Sequence, residues 1–486
     1  MASAPLSFFN SLSRAIEPFS PADGHTARVY SCGPTVYNFA HLGNLRAYVF
    51  TDTLRRTLAL KGYAVRHVIN ITDVGHLTSD ADAGADKMEL AAAGLGKDIW
   101  EVAAFYTHAF KRNLANLNIL EPTLWSVATD HVPDMIAFAE RIAADHCYEI
   151  DSGLYFDVST VPDYGRLART VSDEGESRID PVTGKRNPQD FAIWRRSPPG
   201  EQRQMEWDSP WGRGAPGWHL ECSVMSLKYL GPAPFDIHTG GIDHREIHHP
   251  NEIAQNQAYC GCTDSTPAFT GARFWMHNNF LVDRGGKMSK SAGGFTTLFS
   301  LIDAGVHPLA YRLLCLSAHY RSELEFSPEA VGAALTRLKR LVMTVERLAV
   351  ASVAPSDPPS PAVARHIDRL DTALGEDLNT PVALTALDEF LADKRLSPDD
   401  RRAGLDAFDA ALGLNLLRLT RPDLRLRPVT ASISEDDIDT RLEARRQARA
   451  SKDFAAADAG RDALVADGVE VMDGDPLGWE WRIMLD

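Results

Sequence analysis

SCGPTVYNFAHLGNLRAYVF, Ser31 to Phe50, holds a cysteine, a Gly-Pro turn and a His-Leu-Gly-Asn step that runs into an amphipathic stretch. Just before it, ARVYSC reads as a strand. Within and beyond it, Leu45, Val49, Leu54 and Leu58 recur near helical spacing until Gly62 stops the run. AVRHVINIT (64–72) is rich in β-branched residues and reads as a second strand. Strand, helix and strand with short joins make a βαβ unit, which predicts a parallel sheet. His41-Leu42-Gly43-Asn44 falls where the first strand hands over to the helix, at the edge where open α/β sheets bind ligands. Backbone N–H groups at a helix start attract phosphate. Gly43 allows close approach, and His41 can donate to phosphate oxygens. Taken alone, HLGN reads more simply as the start of a capped helix with a surface histidine.

Outward from this unit, residues 88–118 read as helix. Residues 145–215 change character, with Asp-Ser-Gly, Asn-Pro and Ser-Pro-Pro-Gly turns around strand-like pieces such as GLYFDV, and read as an insertion between halves of the sheet. FDIHTGG resembles a further strand ending in a glycine turn. From about residue 305 the chain reads as helical. It is broken by the proline-rich loop SVAPSDPPSP (352–361) and again near 427–434, where Ser434 to Asp437 has the pattern of a capping box.

The 486 residues carry a formal net charge of -16 and are 44% hydrophobic. That is enough chain for two to four domains, and it excludes a generally basic surface but not a local basic patch. No apolar run reaches membrane-spanning length, and the N-terminus lacks a secretory pattern, so a cytoplasmic chain without a membrane partner is expected. Six cysteines (Cys32, Cys147, Cys222, Cys260, Cys262, Cys315) in a chain this long suit reduced thiols, any special one being a ligand or nucleophile.

A second motif, DRGGKMSKS (283–291), places Lys287 and Lys290 on a glycine hinge, which suits a polyphosphate whose charge grows as it leaves; the plainer reading is a solvated basic loop. HLGN and KMSKS together are the signature of class I aminoacyl-tRNA synthetases. Cys32, Cys222, His248 and Glu252 come from three segments and can enclose one Zn2+. A cysteine thiol ionises on zinc far more readily than a serine hydroxyl, so such a metal suits selection of L-cysteine. Buried apolar thiols with structural histidines are the alternative.

The blocks CGPTVYNFAHLGNLRAYVFTDTLRR, NITDVG, DFAIWRR, SPWGRGAPGWHLECSVM, FDIHTGG, HHPNEIAQ, KMSKS and ARASKDFAAAD resemble the bacterial cysteinyl-tRNA synthetases over nearly the whole chain. The resemblance implies that Cys32, Cys222, His248 and Glu252 hold the zinc and that the substrate thiol joins them. It implies that Thr72 and Trp218 line the cysteine pocket. His41 and Asn44 would face ATP, His238 and Gly240 would lie near adenosine, and Lys287 and Lys290 would act on the phosphates, with Mg2+ accompanying ATP. The implied fold is an α/β, Rossmann-like parallel-sheet catalytic domain (1–140 and 216–304) with a connective insertion (141–215). A stem-contact region (305–330), an α-helical bundle (331–427) and a small anticodon-binding C-terminal domain (428–486) follow. The expected activity is ligation of cysteine to tRNA through cysteinyl-adenylate, by a monomer.

Two positions depart from the family pattern. Asn44 stands where the motif has histidine, and it cannot carry charge. Pro250 stands where glutamate is usual and is expected to push His249 out of helical geometry, leaving His249 or His244 as alternative ligands. For RNA, Arg441, Arg445, Arg449 and Lys452 share one helix face, and Trp479, Trp481 and Arg482 offer stacking and edge contacts; a solvated face with a packed tryptophan is the alternative. Two other functions fit parts of the pattern. A ligase joining cysteine to an amino sugar, as in mycothiol synthesis, has no need of residues beyond about 430. A non-catalytic tRNA-binding paralogue would not need Lys287, Lys290 and the full ligand set.

Overall fold

The structure is a computed structural model that describes residues 4–486 apart from 75–86, 162, 169–181, 199, 201–202, 232–233, 261–268, 284–285, 288–296, 353–358, 484 and 486. Its centre is a five-stranded sheet, all parallel, in the spatial order Ala272–Asn278, Phe235–Gly241, Thr26–Ser31, Ala64–Ile71, Leu124–Val127. Successive residues of these strands feed different cores. Tyr30 and Val68 pack in one cluster, whereas Val29 and Ile69 pack in others, as the two-residue period requires. The chain builds outward from Thr26–Ser31 in one direction, then returns to its other side with Phe235–Gly241. The crevice at that reversal, beyond the carboxyl ends of these two strands, is where such sheets bind ligands.

The helix after the first strand spans Leu42–Leu60 and ends at Gly62, whose φ of +83° suits glycine. The helical stretch read at 88–118 holds two helices, Lys87–Leu95 and Ile99–Asn116. Gly96 (φ +61°) turns the chain, and Asp98 caps the second helix by accepting the Trp100 N–H at 2.7 Å. The turn-rich segment builds a four-stranded antiparallel sheet from Cys147–Ile150, Gly153–Phe156, Phe191–Arg196 and Gly214–Pro216, and Gly217 then starts the helix Trp218–Leu230.

Four helices of the C-terminal half, Pro328–Arg347, Pro361–Gly375, Thr380–Ala392 and Pro398–Leu412, each carry proline in the first turn after Ser327, Ser360, Asn379 or Ser397. Proline's missing N–H costs nothing there. The segment read as helical from about 305 also holds a short strand, Leu324–Glu325, which pairs with Leu281–Asp283. The last unit joins the helices Glu435–Ala450 and Phe454–Ala466 to a hairpin of Val469–Val471 and Trp479–Trp481. At Ser434 the cap is half a capping box. Its Oγ accepts the Asp437 N–H, but it donates to the Asp437 carboxylate, which therefore closes on the hydroxyl and not on the backbone. No helix among the described residues is long and apolar enough to cross a membrane.

Beneath the crevice, His67 is buried on Ala64–Ile71 with Nε2 2.9 Å from Ser31 Oγ. Burial, helped by the Arg55 charge, lowers its pKa to about 3. The unfolded chain takes up this proton as pH falls below 6.5, and the folded chain does not until about 3. Stability from this group is therefore complete above 6.5 and is lost on acidification, by up to ~1.4 kcal/mol per pH unit. Thermal melts between about pH 7 and 5 are expected to show a shallower fall for His67→Gln than for the parent chain. Parallel slopes would show that His67 is not the group responsible.

Candidate functional site

Gly33 enters the site between two strand ends; its N–H donates to Asn70 Oδ1 at 2.7 Å, and any Cβ there would lie 1.5 Å from the Asn70 carbonyl oxygen. A cavity of about 270 Å³ opens at this point, lined by Cys32, His41, Gly43, Asn44, Thr72, Trp218, Cys222, Gly240, Asp243 and His248, among others.

HLGN closes on itself. The Asn44 N–H donates to His41 Nδ1 at 3.2 Å, and the His41 N–H donates to Asn44 Oδ1 at 3.3 Å, so the first and last residues of the motif form the helix's capping box. An asparagine carbonyl fills the reciprocal place that glutamate or glutamine usually takes. The backbone of His41 also bridges Thr297, which follows the KMSKS segment. The strand of Gly286 and Lys287 pairs with Leu281–Asp283, opposite Val282 in the case of Lys287. Lys290 lies outside the described residues.

Cys32, Cys222, His248 and Glu252 each bring a ligand atom within 4.8 Å of the others. A second quartet, Cys32, His238, His249 and Glu252, overlaps it. His244 belongs to neither. His248 and Glu252 sit four apart on one helix, His248–Cys260, with His248 Nε2 3.1 Å from Glu252 Oε1. The expected distortion by Pro250 is thus corrected. Proline lies in the first turn, where no helical acceptor awaits its N–H, and the His249 N–H is held by the His244 carbonyl at 2.9 Å.

The donor set fits a metal. Glu252 is buried, and its Oε1 makes no hydrogen bond among the described residues despite the nearby His248 nitrogen. With the His248 proton on Nδ1, two lone-pair atoms would face each other there, which a shared cation would satisfy. His248 Nδ1 lies 2.9 Å from His219 Nδ1. If His248 Nε2 is the ligand, Nδ1 keeps the proton and His219 accepts it, an outer hydrogen bond that fixes the ring. Burial, with Cys222 and Glu252 close by, drives the Cys32 thiol well above its usual range when no cation compensates. Burial and four surrounding histidines hold His249 well below its ordinary value, so its ring is neutral.

His238, expected near adenosine, does not line the cavity. It is 1% exposed, its Nε2 is 2.9 Å from Glu252 Oε2, and its ring stacks on Trp275. Strand alternation sends Thr239 the other way, to Ser31 and Thr51. Gly240 does line the cavity, and a Cβ there would meet His249 at 2.7 Å and His244 at 2.8 Å. Trp218 stacks on His248 at 4.3 Å. Thr72 Oγ1 donates to Glu221 at 2.8 Å and accepts from Asn70 at 3.0 Å. Burial pushes the Glu221 carboxyl up to about 8 against that hydrogen bond. Glu221, Asn70 and His219 were not legible as site residues. Each contacts a partner far away in sequence, and no periodic pattern marks them.

In the last unit, Arg441, Arg445 and Arg449 do share one face, but acids of the following segment meet them. Arg441 pairs with Asp467 at 2.6 Å, and Asp473 takes both Arg445 and Arg449 at 2.9 Å. Trp481 is 2% exposed and packs edge-on against Trp479 in the core of this unit, so the expected stacking face is corrected to a packed ring.

The family of tRNA synthetases class I (C) catalytic domains matches residues 18–336. The chain is 63% identical to a cysteine–tRNA ligase of Novosphingobium aromaticivorans, covering 99% of this chain and 98% of that one. It is 58% identical to a cysteine–tRNA ligase of Zymomonas mobilis, with 99% and 98% covered. Among solved structures, a LeuRS–tRNA–LeuAMS complex of Agrobacterium radiobacter aligns with a TM-score of 0.54 at 14% identity, over 84% of this chain and 85% of that one. A methionyl-tRNA synthetase of Mycobacterium tuberculosis with methionyl-adenylate aligns with a TM-score of 0.52 at 15% identity, over 82% and 92%. These two show a shared α/β fold.

Proposed function

Because the chain belongs to the cysteine–tRNA ligase family of class I synthetases, we propose that it joins L-cysteine to tRNA in two steps at this cavity. The carboxylate of cysteine attacks the α-phosphate of ATP, giving cysteinyl-adenylate and pyrophosphate. The 3′-terminal adenosine of tRNA then takes the cysteinyl group. The observation that carries the reading is the convergence of Cys32, Cys222, His248 and Glu252 on one point beside the HLGN helix start.

Cys32, Cys222, His248 and Glu252 would hold the zinc. When bound, it supplies a Lewis acid that selects a thiol over a hydroxyl. Trp218 fixes one side of His248, and Glu221 holds Thr72 at the cavity wall. His41 accepts the Asn44 N–H at Nδ1, which puts its proton on Nε2, the atom that would donate to phosphate. Asn44 supports this by holding the His41 backbone, a role that needs no charge. Lys287 and Lys290 would stabilise the departing pyrophosphate, with Mg2+ on ATP. Residues 1–140 and 216–304 would form the catalytic domain around the 141–215 insertion. Residues 305–330 would meet the tRNA stem, and 428–486, past the 331–427 bundle, its anticodon. There Arg441, Arg445 and Arg449 would exchange carboxylates for phosphates. The chain would act as a cytoplasmic monomer.

Cysteine-dependent ATP–pyrophosphate exchange tests the reading, with serine as competitor and with or without a zinc chelator. Exchange with cysteine, none with serine, and collapse on chelation are expected. Full exchange after complete zinc removal would overturn the metal's part in selection, and no exchange at all would overturn the first step.

A further inference from the structure

Phe39 lines the cavity two residues before His41, yet it is only half-buried. Three other rings meet it edge-on: Phe105 at 5.9 Å, Tyr106 at 5.1 Å and Phe299 at 5.6 Å. Phe299 follows Thr297, whose backbone bridges His41, so the cluster joins the segments that carry both signature motifs. It is not closed over as a core would be: Phe105 is 49% exposed. Two cations stand on its rings, Lys97 over Phe105 at 5.4 Å and Arg112 over Phe299 at 4.4 Å. Phe105 and Arg112 are seven apart on the helix Ile99–Asn116 and so share a face. An open aromatic surface flanked by cations, continuous with a cavity, is the combination that receives an unstacked nucleobase with its phosphate.

We infer that this rim is a stacking platform for the unpaired 3′ nucleotides of the RNA, holding a base against Phe105 while the terminal ribose enters the cavity. The inference rests on the transfer step proposed above. The adenine of ATP shares the same stacking chemistry, so the test separates the two.

The full chain is compared with Phe105→Leu, which keeps apolar volume but loses the flat face, and with Phe105→Trp, which restores it. Each binds, at one salt concentration, a tRNA(Cys) transcript with its 3′ end intact and the same transcript lacking its unpaired 3′ nucleotides. ATP KM is measured in cysteine-dependent exchange without RNA. Phe105→Leu is expected to weaken binding of the intact RNA ~5- to 150-fold, the worth of one stacked base. It should bind the truncated RNA as the parent does and leave ATP KM unmoved, and Phe105→Trp should recover the loss. A rise in ATP KM of that size would place the adenine there and overturn the inference. So would equal losses on intact and truncated RNA, or no loss on either. A parent chain that fails cysteine-dependent exchange overturns the proposed function instead, and that result is read before any RNA is added.

Discussion

Cys222→Ser protein is expected to purify with little zinc and to show cysteine-dependent exchange reduced by at least ~100-fold, since losing even an outer-shell partner of a metal costs ~10–100-fold. Cys222 sits on the buried face of Trp218–Leu230, and the rest of its quartet comes from a strand end and from another helix. Serine keeps the shape of the side chain but is a much poorer ligand. Discrimination against serine as substrate should narrow together with the activity. Cys147→Ser, in the insertion sheet, provides the control and should retain its metal. Metal analysis beside circular dichroism separates ligand loss from unfolding. A folded Cys222→Ser chain with one zinc and normal selectivity would show that the overlapping quartet of Cys32, His238, His249 and Glu252 is the working site.

Asp52→Asn should be the most damaging single change away from the site. Asp52 is buried, accepts from Arg56 Nε at 2.7 Å and Arg312 Nη2 at 2.5 Å, and takes the Leu120 N–H at 2.9 Å. Arg312 is wholly buried and also ties the carbonyls of Leu412 and Leu117 at 2.8 and 2.9 Å, so this one network joins the helix Leu42–Leu60 to the end of the helix Pro398–Leu412. Removing the carboxylate charge leaves two buried guanidinium groups without compensation, at a cost of ~3–5 kcal/mol. Burial alone would raise the Asp52 pKa, but Arg312, Arg56 and the Leu120 N–H outweigh it and hold it below 3.8. Its contribution is therefore present above that value and is lost as pH falls through the folded pKa. Urea and thermal unfolding should show a clear loss for Asp52→Asn at neutral pH. Replacing both partners together, Asp52→Leu with Arg312→Met, should recover part of it, because no uncompensated charge remains. An unchanged midpoint in the single variant would mean that the network does not join these elements.

Much of this molecule follows from residues that act within a few positions of themselves. The βαβ start, the Gly62 stop and the capped start of the last unit are set by periodicity and turn chemistry. The candidate ligands were legible because cysteine, histidine and glutamate are unusual in such company. Parity and partners were not. Whether His238 or Thr239 faces the cavity depends on which side of the strand the helices cover, and a one-residue step reverses the answer. Asp467 meets the arginine face only because the helix Phe454–Ala466 runs back along it, and Asp473 only because the hairpin turns there. Trp481 reads as a stacking ring until Ile438, Leu464 and Val469 enclose it. The order of elements and the chemistry available at the sheet's edge are thus local properties of the chain. Which atoms meet is a property of the folded topology, because those contacts span tens to hundreds of residues and do not follow from local propensity.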